Sequence, residues 1–229
     1  MRIDRLAAPQ LIETWSLHEE THVGVDEGPG RGIVIESRWG DLLIPDPSPM
    51  LVEALRRMVL GPVSLRNVLP DFPGYDSEWG RCSLASRELH RELTDIQYLV
   101  DRTLSVGATP LLTVAPLSPR ARFLPGPLPR GTGTPRVVLS PFARLRYTEN
   151  GTYLESPYSD HRVELHRPEA AWLIGGLADG SDGAHLGDLR TVARLTALAL
   201  PDTVAAAGAA YLLAAGMASL NESGRSESE

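Results

Sequence analysis

Gly32-Ile33-Val34-Ile35-Glu36-Ser37, followed by Asp41 and Pro49, returns later as Gly151-Thr152-Tyr153-Leu154-Glu155-Ser156, with Asp160 and Pro168. Each matched residue of the second copy lies 119 positions after its partner, as 151 − 32 and 168 − 49 show, and no gap is needed. In both copies the proline opens an apolar, helix-like stretch, Met50 to Leu60 and Glu169 to Ala178. A repeat of this length marks two similar small domains rather than a solenoid, whose units run roughly 20–50 residues. Duplication of a module points to binding or docking more than to a single buried active site.

The elements around the repeat follow from pattern. His22-Val23-Gly24-Val25-Asp26 alternates like a half-buried strand. Ile33–Ser37 and Asp41–Ile44 read as two further strands around a turn at Arg38-Trp39-Gly40. Ser48 and Pro49 suit an N-cap and a first helical position, and Leu51, Leu55, Met58 and Val59 share one helical face. Gly61-Pro62 stops that helix, and Ser64 starts a short one through Leu69. Glu88 to Leu104 carries Leu89, Leu93, Ile96, Leu99, Val100 and Leu104 at spacings of three or four, which predicts a long helix ending at Gly107. Leu111–Val114 is a strand. Residues 1–15 give no pattern.

Pro116 to Pro135 holds six prolines and reads as a stiff linker. Beyond it Arg136–Leu139, Ala143–Tyr147, Tyr153–Ser156 and Arg162–His166 extend. Pro168 opens a helix, and Leu186–Leu198 and Thr203–Ala215 supply two more. Strands before helices in each half give an α+β fold of two tandem winged-helix-like domains. They cover residues 1–115 and 136–220, with a linker at 116–135 and a disordered tail at 221–229.

Composition narrows the function. The 229 residues are 42% hydrophobic and can bury a core. A formal charge of −7 argues against nucleic-acid binding, which needs a basic surface. All 22 basic residues are Arg, so no lysine-dependent chemistry is available. One cysteine, Cys82, excludes an intrachain disulfide and a thiolate zinc cluster. No apolar signal region opens the chain, and the longest apolar run, Thr203–Met217, is too short to span a membrane. A cytoplasmic protein without a membrane partner is the expectation.

His18-Glu19-Glu20-Thr21-His22 matches the H-E-x-x-H pattern, in which a helix brings two histidines to one zinc. Here the flanks are strand-like, and i, i+4 residues of a strand stand about 13 Å apart at roughly 3.3 Å per residue. His18 and His22 are therefore candidate metal ligands in pattern only. Asp160, His161 and His166 could do acid–base work, yet no nucleophile elbow accompanies them; surface hairpin residues are the plainer reading. Glu36 and Glu155 read as fold-defining hydrogen-bonding groups near the turns. The winged-helix order also raises a DNA-binding regulator, but Arg87, Arg91 and Arg102 sit among Glu88, Glu92, Asp95 and Asp101.

Ser37-Arg38-Trp39-Gly40-Asp41, Pro45-Asp46-Pro47-Ser48-Pro49, Gly61-Pro62-Val63-Ser64-Leu65, Leu139-Ser140-Pro141-Phe142-Ala143, Leu154-Glu155-Ser156-Pro157 and His166-Arg167-Pro168-Glu169-Ala170-Ala171-Trp172 resemble the N-terminal region of actinobacterial SagB/McbC-type dehydrogenases. The resemblance covers about residues 14–220. Those enzymes oxidise azolines to azoles in ribosomally made peptides. Their N-terminal part resembles winged-helix peptide-recognition elements, and a nitroreductase-like FMN domain follows it.

The resemblance implies a peptide-binding and scaffold role without catalysis by this chain. Only a short tail to Glu229 follows Gly216-Met217-Ala218, where the flavin domain would begin, so FMN is expected in a missing or separate domain and no cofactor in this chain. The implied partners are a precursor or leader peptide, a flavin-dependent dehydrogenase subunit and a cyclodehydratase; a second copy of the chain is a further candidate. The peptide would add to the last hairpin strand of a unit and pack on its third helix, giving Leu42, Leu43, Ile44, Arg162, Val163 and Leu165 as candidate binding residues. The rival classes are a winged-helix regulator and a zinc hydrolase through His18, Glu19 and His22.

Overall fold

The computed structural model describes residues 10–26, 32–74, 82–128, 136–178 and 201–221. The fold is mixed α+β. A six-stranded antiparallel sheet has the order β1-β5-β6-β10-β9-β8, beside a three-stranded sheet β2-β3-β4 and a two-stranded one β11-β7. The strands are β1 (Leu11–Leu17), β2 (His22–Asp26), β3 (Gly32–Ser37), β4 (Gly40–Pro45), β5 (Val100–Val106), β6 (Thr109–Pro116), β7 (Arg136–Leu139), β8 (Arg144–Thr148), β9 (Gly151–Glu155), β10 (His161–Leu165) and β11 (Ala218–Asn221). Among the described residues the helices are α1 (Pro49–Leu60), α2 (Leu84–Asp95), α3 (Pro168–Ala178) and α4 (Asp202–Ala214).

The repeat is visible as matched elements: β3 and β9, β4 and β10, then α1 and α3, each helix opened by its proline. Pairing differs between the copies. Glu36 faces Asp41, whereas Glu155 faces Arg162 instead of Asp160. The slip is two residues, an even number, so buried and exposed faces are preserved. Ile35 and Leu154 are accordingly both fully buried. The shared turn chemistry belongs to the serines. Ser37 Oγ accepts from Trp39 N–H, and Ser156 Oγ accepts from Tyr158 N–H. Glu36 is exposed and Glu155 meets Arg146, so the hydrogen-bonding role expected of these glutamates lies with the adjacent serines.

Helix α1 forms as its sequence dictates. Ser48 Oγ accepts from Leu51 N–H at 3.1 Å, Pro49 occupies the first turn, and Leu51, Ala54, Leu55 and Met58 form the buried stripe. Val59 lies outside that stripe and is exposed. Gly61, at φ 141°, ends the helix in backbone space that favours glycine.

The long helix expected over Glu88–Leu104 is not one helix. It ends at Asp95, a 3₁₀ turn occupies Gln97–Leu99, and Val100 begins strand β5. Leu99, Val100 and Leu104 keep a helical spacing by coincidence. The burial of Val100, Arg102 and Leu104, alternating with less buried Asp101 and Thr103, has the period of two of a strand. Gly107 turns the β5–β6 hairpin at φ 60°. The patternless N-terminal stretch contains β1, whose buried face carries Glu13 beside Trp15.

The proline-rich segment is docked over its first half. Leu117 N–H donates to Asp160 O at 2.7 Å, Ala121 and Phe123 are buried, and Phe123 N–H donates to Gln97 Oε1 at 2.7 Å. Residues 129–135 lie outside the described residues. Because β6 pairs with β10, strands from both sides of 116–135 share one sheet; the two expected domains do not have separate sheets. Asn221, placed in the expected tail, pairs with Arg136 in β11–β7, while 222–229 lie outside the described residues, as does the expected helix Leu186–Leu198.

Among the described residues two apolar clusters fill the interior. One joins β5, β6, β9 and β10 to α3 and α4, through Leu104, Leu112, Val114, Leu154, Val163, Ile174 and Tyr211. The other joins β3, α1 and α2 to Trp15, Val63, Leu65 and Phe72. Beyond its exposed first residues Asp202 and Thr203, helix α4 is apolar, and Val204, Ala207, Tyr211 and Leu212 are buried.

Candidate functional site

The candidate peptide-binding strands have different surroundings. β10 is flanked by β6 on one side and β9 on the other, so its main-chain groups are spent within the sheet. Val163 is fully buried and Leu165 nearly so. Arg162 lies over the Tyr153 ring, 4.9 Å from its centroid, and its Nη2 is 4.0 Å from Glu19. Arg162, Val163 and Leu165 are therefore not an edge to which a strand can add; the long-range β6–β10 pairing occupies it.

β4 is an edge. Among the described residues it pairs only with β3. Pro45 has no N–H and faces Gly32, so that pair is a non-hydrogen-bonded one. Counting back by twos, Leu43 and Asp41 also turn N–H and C=O outward. Leu43 is 59% exposed, while Leu42 and Ile44 point to the second apolar cluster.

The chain after β4 is tied to α2. Ser48 donates N–H to Glu92 Oε1 at 3.0 Å and its hydroxyl to Glu92 Oε2 at 2.5 Å. Helix α2 is in turn fixed at its start, where Ser83 Oγ accepts from Ser86 N–H and Asp71 accepts from Ser83 N–H and Ser86 Oγ. Those bonds hold the Asp71 carboxyl below its usual pKa. Edge and helix are thus held in one frame.

The histidine motif splits at a turn. His18 follows β1 and is 2% exposed, with Nδ1 2.7 Å from Asp101 Oδ1 and its ring stacked on Trp39 at 5.5 Å. His22 opens β2 and is exposed. Burial raises the Asp101 carboxyl pKa, and the hydrogen bond from His18 works against that shift. Arg38 lies 4.4 Å from the Trp39 ring centroid and donates to Pro116 O, closing the cluster. Among the described residues no group of three or more His, Cys, Asp or Glu side chains is arranged to hold a metal ion.

The other titratable candidates are dispersed. Asp160 accepts from Ser118 Oγ at 2.8 Å, while His161 packs beside Phe123 and burial lowers its pKa. His166 Nε2 lies 2.7 Å from Thr113 Oγ1. Arg102, one of the basic residues considered for DNA, is enclosed between Trp15 and Phe123, at 4.2 and 5.0 Å from their centroids. Its charge meets Glu13, which also accepts from Tyr211. This buried set, spread over β1, β5 and α4, lay outside the sequence motifs. A glutamate and an arginine within alternating apolar strands were its only local sign.

Among the described residues no helix is long and apolar enough to cross a membrane. No protein-family model matches the chain. No curated protein matches it either.

Proposed function

We propose that this chain is a peptide-binding and scaffold component of an azoline dehydrogenase system acting on ribosomally synthesised peptides, and that it carries no redox chemistry itself. The observation that carries the reading is the open β4 edge, with outward main-chain groups at Asp41 and Leu43, exposed Leu43, and α2 tied to the same frame. The duplicated strand–strand–proline–helix order supports two tandem winged-helix-like, peptide-recognition-like modules.

In this reading a precursor peptide adds as a strand to β4. Its main chain pairs with Asp41 and Leu43, and its side chains rest on Leu43 and the outer surface of α2. The second module, with β10 enclosed, is the scaffold. It presents the bound peptide to a flavin-dependent dehydrogenase and a cyclodehydratase in the cytoplasm, and FMN belongs to the dehydrogenase.

The test is titration of a fluorescein-labelled precursor peptide of an azole-forming system into the purified chain. Saturable binding that Leu43→Asp weakens at least tenfold supports the reading. Binding unchanged by Leu43→Asp removes β4 as the site, and azoline oxidation by the chain alone removes the non-catalytic role.

A further inference from the structure

Among the described residues a second strand edge, that of β1 on the six-stranded sheet, has no outer strand paired to it. Gly107 N–H donates to Gln10 O and His18 N–H to Leu99 O, both at 2.8 Å, so even-numbered residues of this stretch turn toward β5. Odd-numbered residues therefore turn outward. Trp15 uses its outward groups on Val63, exchanging two bonds of 2.8 Å. Continued antiparallel pairing would set Glu13 opposite Leu65, but there the chain winds into the 3₁₀ turn Leu65–Asn67. Among the described residues, the outward main-chain groups of Leu11 and Glu13 are left without a main-chain partner.

A groove of about 1050 Å³ is lined by β1 from Leu11 to Ser16, and Thr103, Thr113, His166, Arg66 and Phe72 also line it. Small-molecule sites span roughly 300–1,000 Å³, and a groove of this size beside unpaired main-chain groups suits an extended segment better. Its polarity is specific. Thr103 Oγ1, Thr113 Oγ1 and His166 Nε2 form a row with 2.7 Å spacings. Glu13 is already matched by Arg102 and Tyr211. Arg66 is exposed and engages only its Nε, donating to Phe72 O at 3.3 Å among the described residues. A chain of net charge −7 thus offers an available cation along this edge.

We propose that the β1 edge takes an extended peptide segment bearing acidic side chains, paired to the main chain at Leu11 and Glu13 and matched in charge by Arg66. This site is separate from β4 and goes beyond the function proposed above.

The test uses fluorescence anisotropy with a labelled eight-residue peptide alternating Glu and Val, and its Lys–Val counterpart. The Glu–Val peptide is expected to bind at least tenfold more tightly. Leu11→Pro removes one outward N–H without removing a β1–β5 bond and should weaken binding at least tenfold. Arg66→Glu should reverse the preference, and Leu43→Asp should leave it unchanged, which separates this site from the β4 reading. Equal affinity for the two peptides overturns the proposal, as does undiminished binding by a folded Leu11→Pro. Should Leu11→Pro fail to fold, Arg66→Glu decides: undiminished binding of the Glu–Val peptide overturns it.

Discussion

Tyr211 on α4 donates its hydroxyl to Glu13 on β1, across 198 positions of sequence, and Glu13 also holds the buried Arg102 of β5. Both ionic side chains are below 10% exposed, at 9% for Glu13 and 8% for Arg102. This contact closes the two halves of the chain on one another. Removing one member of a buried pair leaves a charge without its counterpart, which costs about 3–5 kcal/mol. Glu13→Gln should therefore destabilise strongly in urea unfolding. Glu13→Leu combined with Arg102→Met should cost much less than the two single changes added together. Simple additivity would show that the pair is not coupled.

Tyr211→Phe isolates the link between the halves. A hydrogen bond to a charged group contributes about 1.5–3 kcal/mol. The variant should lose that amount in one cooperative transition, because β6–β10 pairing and this contact join both halves. Two separate transitions in the wild-type protein would contradict a shared unit.

His161 is buried against Phe123, and burial holds its pKa below the ordinary 6.5. The unfolded chain takes up the proton first, so stability is present above about pH 6.5 and is lost as pH falls toward the lower folded value. His161→Phe should flatten the loss between pH 7 and 5 in thermal unfolding. An unchanged slope would assign the acid sensitivity to other groups, His90 among them, whose pKa burial also lowers.

Gly208 sits where α4 meets α3, and a Cβ there would come within 2.3 Å of Leu173 Cδ2. Helix propensity alone favours Gly→Ala by about 1 kcal/mol. Leu173 is largely buried in the first cluster and must shift to admit the methyl group; such overpacking costs about 1–3 kcal/mol. Gly208→Ala should give no net gain in melting temperature. A clear gain would show that Leu173 relaxes freely.

What was legible in the sequence was local. β2 follows from an alternating run, β3 and β4 from two apolar runs around a short turn, and α1 from a Ser-Pro helix start, all within 40 residues. β5 was hidden because Leu99, Val100 and Leu104 mimic a helical stripe. β1 was hidden because its buried face includes Glu13, whose partners lie at 102 and 211. The enclosure of β10 was equally invisible: its outer neighbour β6 is set by pairing across the proline-rich segment. Of the two candidate edges named from the repeat, β4 alone is without a second strand among the described residues, and the duplication does not reveal which copy keeps its edge.

Strand addition at β4 is tested most directly by titrating a labelled precursor peptide into wild type, Leu43→Ala and Leu43→Pro. Leu43→Ala keeps the outward N–H and trims only an exposed side chain; Leu43→Pro removes the N–H and leaves the β3 pairing intact. Leu43→Ala should bind within a few-fold of wild type, and Leu43→Pro should lose at least tenfold. Wild-type affinity in a folded Leu43→Pro variant would contradict strand addition at β4.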